Sequence, residues 1–335
     1  MDNRQNDRPG DRRGPPPRGG DRGGFGGDRG GPGGDRGGFG GGRGGFGDNQ
    51  PPKEYYYRPR LPVRGAPPVP SEYFHRRIGG LDGRLALTLT CVTPVHIGTG
   101  LTGLEGGRAI MLTARNDATP VIPGSALKGA LRTTGEALAR SCHDQRCRAC
   151  FPCLIFGAVG YRGRATFGPA VPVQPTRPLG FLLPPRTSRG PTWDEDRIRL
   201  YNHRRAQPDP RGVELVETLP AGTTLTSELS YQSLEPAALG YLLLLLGTAT
   251  GHGFLHKIGA AKSQGLGSLK IEISNHSVRQ LERRLPLLAP IAPPAPDTLV
   301  SAYLDLERAH DQAGVIAETI TTLRDKSRPL EVELP

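Results

Sequence analysis

Leu85-Ala86-Leu87-Thr88-Leu89-Thr90-Cys91 puts an apolar side chain at every second position, which predicts a strand with one buried face. Leu225–Tyr231 and Ser268–Ile273 repeat the same alternation and predict two more strands. The short apolar run Pro120-Val121-Ile122 reads as a buried strand that ends in a tight Pro123-Gly124 turn. Ser125 then takes the N-cap position of a helix reaching about Arg140. Pro236-Ala237-Ala238-Leu239 opens a strongly apolar helix through Leu246. Glycine-bearing turns, Pro94–Gly100 and Ile258–Gly267, interrupt these segments. The order strand, helix, strands, helix, strand predicts an α+β domain of the ferredoxin-like (RRM-like) kind, a split βαβ with insertions, over residues 85–275.

Outside that span the periodicity fades. Residues 1–60 hold 20 of the 48 glycines in repeats such as Asp21-Arg22-Gly23-Gly24-Phe25, with little but Phe25, Phe39 and Phe46 to bury. Such a segment cannot offset its ordering entropy and is expected to stay disordered, as an RGG-type tail. It serves either as a weak RNA-binding arm or as an inert solubilising tail. Residues 61–84 read as a Pro- and Arg-rich linker, and residues 168–215 as a long insertion with one hairpin. A Pro-rich stretch after residue 275 leads to a peripheral helix near 299–324.

Charge narrows the partners. Lys and Arg number 43 against 32 Asp and Glu, a formal net charge of +11, which favours a polyanion. No apolar run is long enough for a membrane span, and the N-terminus lacks a signal-peptide core, so a cytoplasmic protein is expected. The Pro123-Gly124-Ser125 turn offers free backbone N–H groups beside Lys128 and Arg132, which lie four residues apart on one helix face. Together they form a phosphate-binding device. The loop Gly259–Gly267 adds Lys262, Ser263 and Gly265, with glycines that let a ligand approach the backbone. Arg186, Arg189, Trp193, Arg197, Arg199, Arg204, Arg205 and Arg211 crowd the insertion, where they either clamp a nucleic-acid duplex or form an exposed basic loop. His203, His252 and His256 read as structural.

Cys142-x4-Cys147-x2-Cys150-x2-Cys153 places four thiols within 12 residues, a set that suits one tetrahedral structural Zn²⁺ in a zinc loop over 141–154. His143 stands by as a substitute for Cys142, and Arg140, Arg146 and Arg148 favour thiolates. An iron–sulfur cluster is the rival, although Leu154 stands where a further Cys-Pro would be expected. Cys91, alone in its strand, reads as a small core residue.

His96-Ile97-Gly98, then Ile122–Arg132 with its Pro-Gly-Ser-Ala-Leu-Lys-Gly core, then Ile155-Phe156-Gly157, then Ile258-Gly259 and Gly265-Leu266-Gly267 stand in an order that resembles the RAMP superfamily, the repeat-associated subunits of type III CRISPR effector complexes. The likeness is closest to the subunit that stacks along the guide RNA, and Tyr201–Arg205 and Asp209–Glu214 resemble that subunit's segment after its thumb. The resemblance implies a ferredoxin-like palm with a thumb-type insertion over 168–215. It implies that Ser125, Lys128 and Arg132 hold guide phosphates, helped by His96, Lys262 and Ser263. Gly98, Gly124, Gly265, Arg204, Arg205 and Arg211 are placed along the same RNA path. It also implies a zinc-binding insertion after this same helix, and guide RNA, target RNA and the other RAMP and large subunits as partners.

Cleaving members of that family carry an Asp between the His-Ile-Gly and Pro-Gly-Ser turns, where this chain has Arg108 flanked by Gly106, Gly107 and Ala109. An always-protonated guanidinium neither takes a proton nor holds Mg²⁺. Glu105 is the nearest carboxylate and the weak catalytic candidate. The expectation is a guide-RNA-binding subunit without its own nuclease activity. The alternatives are a target-cleaving or guide-processing endoribonuclease, or a stand-alone RNA-binding protein with an RGG tail.

Overall fold

The computed structural model describes residues 54–63, 79–143, 147, 150–185, 196–282, 287–310 and 312–331. Most of the expected tail and linker, with Arg146, Arg148, Arg186, Arg189 and Trp193, lies outside them. In chain order the strands and helices begin with β1 (Tyr55–Pro59), β2 (Leu81–Cys91), β3 (Gly98–Glu105), β4 (Arg108–Thr113), β5 (Arg115–Asn116), β6 (Thr119–Pro120), α1 (Gly124–Ala137) and α2 (Phe151–Phe156). They continue with β7 (Ala165–Phe167), β8 (Val171–Pro172), β9 (Leu179–Leu182), β10 (Arg197–Tyr201), β11 (Leu215–Thr218), β12 (Thr224–Leu234) and α3 (Pro236–Leu245). Last come β13 (His256–Lys257), β14 (Ser268–Glu282), β15 (Leu287–Ile291), α4 (Pro296–Arg308) and α5 (Ala313–Glu331).

The main sheet has the order β13-β14-β2-β12-β7, and every neighbouring pair is antiparallel. Its successive strands β2, β7, β12 and β14 lie side by side as fourth, first, third, second, with α1 between the first two and α3 between the last two. That is the split βαβ arrangement. Leu85, Leu87, Leu89 and Cys91 are buried at alternate positions of β2, as the two-residue period requires. Burial pushes the Cys91 thiol up to about 12, in keeping with a core residue. Helix α3 is buried along nearly all its length, from Ala238 to Leu245. Each buried Leu there contributes on the order of 2 kcal/mol of apolar transfer.

A second sheet, β3-β4-β11-β9, stands beside the main one, with β4 and β11 parallel and the other pairs antiparallel. Phe181, Leu183, Val216 and Leu266 form a small core of their own beneath it. Leu266 belongs to the second glycine loop, so this satellite core fixes that loop in place.

Several boundaries and roles differ from expectation. Helix α1 begins at Gly124 with Pro123 as its N-cap, and no side chain caps it, so Ser125 is a first-turn residue and not the cap. Gly124 is required by close approach, because a Cβ there would lie 2.0 Å from the Phe167 carbonyl oxygen. Residues 55–59, expected within the tail, form β1, which pairs along its whole length with β10. Among the described residues the strands of the predicted insertion do not pair with each other as a hairpin: β9 pairs β11 and β10 pairs β1. The C-terminal region forms two helices and is not peripheral. Leu299, Val300, Tyr303, Ile316 and Leu323 are buried in the same core as the main sheet. No described helix is long and apolar enough to cross a membrane.

Candidate nucleic-acid interface

Strand β2 runs straight into the His96-Ile97-Gly98 turn, and β14 starts from the second glycine loop, so adjacent strands bring the two turns together. The Ala260 N–H donates to the His96 carbonyl at 2.9 Å, and the Gly267 N–H donates to the Pro94 carbonyl at 2.9 Å. Gly259 sits at φ +77°, where a Cβ would lie 2.2 Å from the His96 carbonyl oxygen, so only glycine permits this approach. The His96 ring itself is buried, with Nδ1 2.7 Å from the Glu217 carbonyl oxygen. Burial holds its pKa below the usual imidazole value.

Helix α1 completes the constellation. Ala126, Gly129, Ala130, Thr133 and Thr134 form a face of small side chains that walls one side of a cavity of about 290 Å³. Arg199, Leu200 and Tyr201 of β10 and Lys257, Gly259 and Lys262 wall the other. Three cations therefore converge on one cleft, and no carboxylate is among its lining residues. The Lys262 ammonium lies 5.7 Å from the Tyr201 ring centroid, a cation–π distance. Burial, with help from Arg199, lowers its pKa. Lys257 Nζ donates to the Leu266 carbonyl at 2.8 Å and the Gly265 carbonyl at 3.2 Å. Burial, then the Arg204 and Lys262 charges, pushes Lys257 down to about 7. A desolvated pocket that gathers basic side chains and is lined by no carboxylate suits an anion.

The predicted residues separate into three groups. Lys262 lines the cleft, Ser263 and Gly265 follow it in the same loop, His96 and Gly98 belong to the turn bonded to that loop, and Lys128 lies on the helix that walls the cleft, half-buried. Arg204 bridges elements at its rim, donating to Glu54 Oε1 at 3.0 Å and to the Ser263 carbonyl, while Arg205 is exposed next to it. Arg132 turns elsewhere. It donates to Glu136 Oε1 at 3.0 Å and to the Gly157 carbonyl at 2.8 Å, and its NH2 lies 3.9 Å from Cys153 Sγ. Arg211 is exposed in a two-pronged pair with Asp209 at 3.0 and 3.1 Å. Glu105 faces Arg108 across the Gly106-Gly107 turn of the β3–β4 hairpin and is exposed. It lies against Gly180, whose added Cβ would fall 2.4 Å from Glu105 Oε2.

Lys257 and Tyr201 were not singled out as site residues by sequence, although Lys257 directly precedes the Ile258-Gly259 motif. Glu217 was also missed. Its carboxylate accepts the Thr113 N–H at 3.0 Å and pairs with Arg115, which fastens β11 to the end of β4.

The four cysteines close into a separate centre at the far end of α1. Their Sγ atoms all lie within 4.8 Å of one another, with Cys142 3.4 Å from Cys153 and 4.0 Å from Cys150, and Cys147 4.0 Å from Cys153. A tetrahedral ion with metal–sulfur bonds of about 2.3 Å spaces its sulfurs by about 3.8 Å, which this set fits. Hydrogen bonds from Cys147, Cys150 and Cys153 pull the Cys142 thiol down toward thiolate, while the bond with Cys142 pushes the Cys150 and Cys153 thiols up. His143 is not part of the set.

No curated protein matches the chain significantly. A family model described as the RAMP superfamily matches residues 88–270, more than half of the chain, from within β2 to within β14. The match takes in the His-Ile-Gly turn, α1, the cysteine centre and the second glycine loop. This chain belongs to the RAMP superfamily.

Proposed function

We propose that the chain is a guide-RNA-binding structural subunit of a type III CRISPR interference ribonucleoprotein, acting in the cytoplasm beside other RAMP and large subunits and without nuclease activity of its own. The observation that carries this reading is the cleft itself, in which two distant glycine turns and the small face of α1 converge with Arg199, Lys257 and Lys262. A protein that lets base pairing read the target needs only to grip the guide's backbone, and cations beside open backbone do that. Ser125, Lys128 and Lys262 contact guide phosphates, and Arg204 and Arg205 extend the path at the rim. Arg132, engaged with Glu136 and the Gly157 carbonyl, supports α1 from behind, and Arg211 sits in an exposed pair with Asp209. The cysteine centre holds Zn²⁺ through Cys142, Cys147, Cys150 and Cys153. Four sulfur ligands leave no open position, so the ion supplies structure and no chemistry.

The absence of a nuclease role rests on Arg108 at the hairpin tip. The only carboxylate at that tip, Glu105, is exposed and next to that guanidinium. The test is purification of the native assembly with one discrete guide RNA and several protein subunits. A lone monomer carrying mixed RNA would replace the reading with a free RNA-binding protein. Target cleavage abolished by Glu105→Ala in that assembly would make this subunit the nuclease.

Lys262→Ala is expected to weaken binding to guides of any sequence about equally and to reduce the slope of log affinity against log salt by about 1. Filter binding over a salt series measures this, and a loss confined to some sequences would refute the phosphate assignment. Affinity is also expected to depend on pH. Above neutral pH the free protein carries Lys257 largely uncharged, with its pKa near 7, whereas a phosphate in the cleft favours the ammonium. Binding then takes up a proton, so affinity falls as pH rises through the alkaline range. Lys257→Arg should flatten that dependence, and an equally steep one in the variant would assign it to another group.

A further inference from the structure

We infer that the half-buried face of the β1–β10 ribbon, opposite the one anchored to α5, is a base-stacking platform for single-stranded RNA, lying partly outside the family's matched span. The inference rests on the proposed RNA-binding role and adds a second contact surface to it. The antiparallel register sets Tyr55 opposite Tyr201, Tyr57 opposite Arg199 and Pro59 opposite Arg197, so these side chains share one face. The other face carries Arg58, Ile198 and Leu200, all buried. Arg58 is anchored to α5, donating to Glu318 Oε1 at 2.9 Å and to Thr319 Oγ1 at 3.1 Å. The ribbon is therefore held rigidly from behind.

On the half-buried face cations and rings alternate. Arg197 lies 4.7 Å over the Tyr57 ring, and Arg199 lies 5.5 Å over Tyr55 and 5.6 Å over Tyr201. Lys262 then lies 5.7 Å over the other end of the series, at Tyr201. Tyr55 and Tyr57 meet edge to face at 5.6 Å. Guanidinium planes and phenol rings are the two surfaces on which unpaired bases stack, and the cations beside them balance phosphate charge. Arg199, Tyr201 and Lys262 also line the cleft, so the platform continues directly from it. A strand leaving the cleft would meet these rings next. A duplex hides its base faces and gains nothing from them.

The test compares the full-length chain on a single-stranded RNA and on a blunt RNA duplex of equal length. The paired change Tyr55→Leu and Tyr57→Leu is expected to weaken single-strand binding by about ten-fold or more while leaving duplex binding nearly unchanged. Tyr55→Phe with Tyr57→Phe keeps the rings and should retain wild-type affinity for both. Equal losses on both RNAs, or no loss on either, would overturn the platform. Lys262→Ala separates the two readings. If it weakens single-strand binding and the leucine pair does not, the cleft stands and the platform falls. If the wild-type chain binds neither RNA, both fall. Should the leucine pair fail to fold, ultraviolet cross-linking of the wild-type chain to single-stranded RNA decides. Adducts on residues 54–60 or 197–205 support the platform, and adducts found only elsewhere refute it.

Discussion

Replacing Cys153 with serine, or stripping the metal with a chelator, is expected to lower the Tm of the purified chain by roughly 8–16 °C. The last two cysteines stand at the start of α2. Helix α2 is only six residues long, too short to hold its own backbone, yet Phe151 through Phe156 are all buried. Phe151 packs 5.5 Å from the Tyr241 ring and 5.3 Å from the Tyr303 ring, so α2 joins α3 and α4 in one aromatic cluster. A closed ion would staple Cys142, just beyond α1, to Cys150 and Cys153 at the start of α2. Without it two buried thiols, Cys150 and Cys153, are left facing each other in the core. Ion binding to the native state alone, at about a thousand times its dissociation constant, contributes about 4 kcal/mol. At 2–4 °C per kcal/mol for a chain of roughly this size, the stated fall follows. A colourless protein with about one zinc per chain and a chelator-sensitive Tm is the expected result. A brown protein would indicate an iron–sulfur cluster, and a metal-free protein whose Tm ignores chelator would remove the centre altogether.

The three long strands of the main sheet were legible because one face of each is buried, and burial on one face leaves a two-residue period, whereas β7 and β13 are too short to show one. β2, β12 and the first half of β14 show it plainly. The glycine turns were legible because Gly124 and Gly259 stand where no side chain fits. What the sequence hid was partnership between distant residues. Tyr55-Tyr56-Tyr57 is a fair strand signal, but its partner β10 lies more than a hundred residues on, and the surrounding glycine repeats and prolines mask it. Arg132 shares a helix face with Lys128 by spacing, yet that face is divided between the cleft and the cysteine centre, and only packing decides which side claims the guanidinium. The second sheet was hidden for a related reason. Its strands β9 and β11 are four residues each, too short for a period to emerge, and its β4–β11 pair is parallel across a long connection. A single peripheral helix was expected near 299–324, where two packed helices stand. Their buried residues are few but include a charge, Glu307.

Glu307→Ala is expected to destabilise the chain by about 3–5 kcal/mol, read as a fall in Tm of roughly 6–20 °C. Arg140 stands just beyond α1 and Glu307 near the end of α4, and both side chains are essentially inaccessible, 2% and 0% exposed. Arg140 Nε donates to Glu307 Oε2 at 3.0 Å, and NH2 reaches Oε1 at 3.5 Å. Arg140 NH1 has no hydrogen-bond partner among the described residues. The pairing is therefore incomplete, and burial raises the Glu307 carboxyl pKa despite the adjacent guanidinium. Desolvation outweighs the attraction on that group, so the pair contributes little net stability while intact. Removing one partner alone is another matter, because it leaves an uncompensated charge in the core between α1 and α4. The decisive comparison is with the double change Arg140→Met and Glu307→Leu, which removes both charges at similar volume. It should lie within about 1–2 kcal/mol of wild type or above it, whereas Glu307→Ala alone should fall far below. Thermal or denaturant unfolding of the three proteins measures both quantities. Equal losses in the single and double variants would mean that the pair is worth its own burial, contrary to the incomplete geometry that Arg140 NH1 displays.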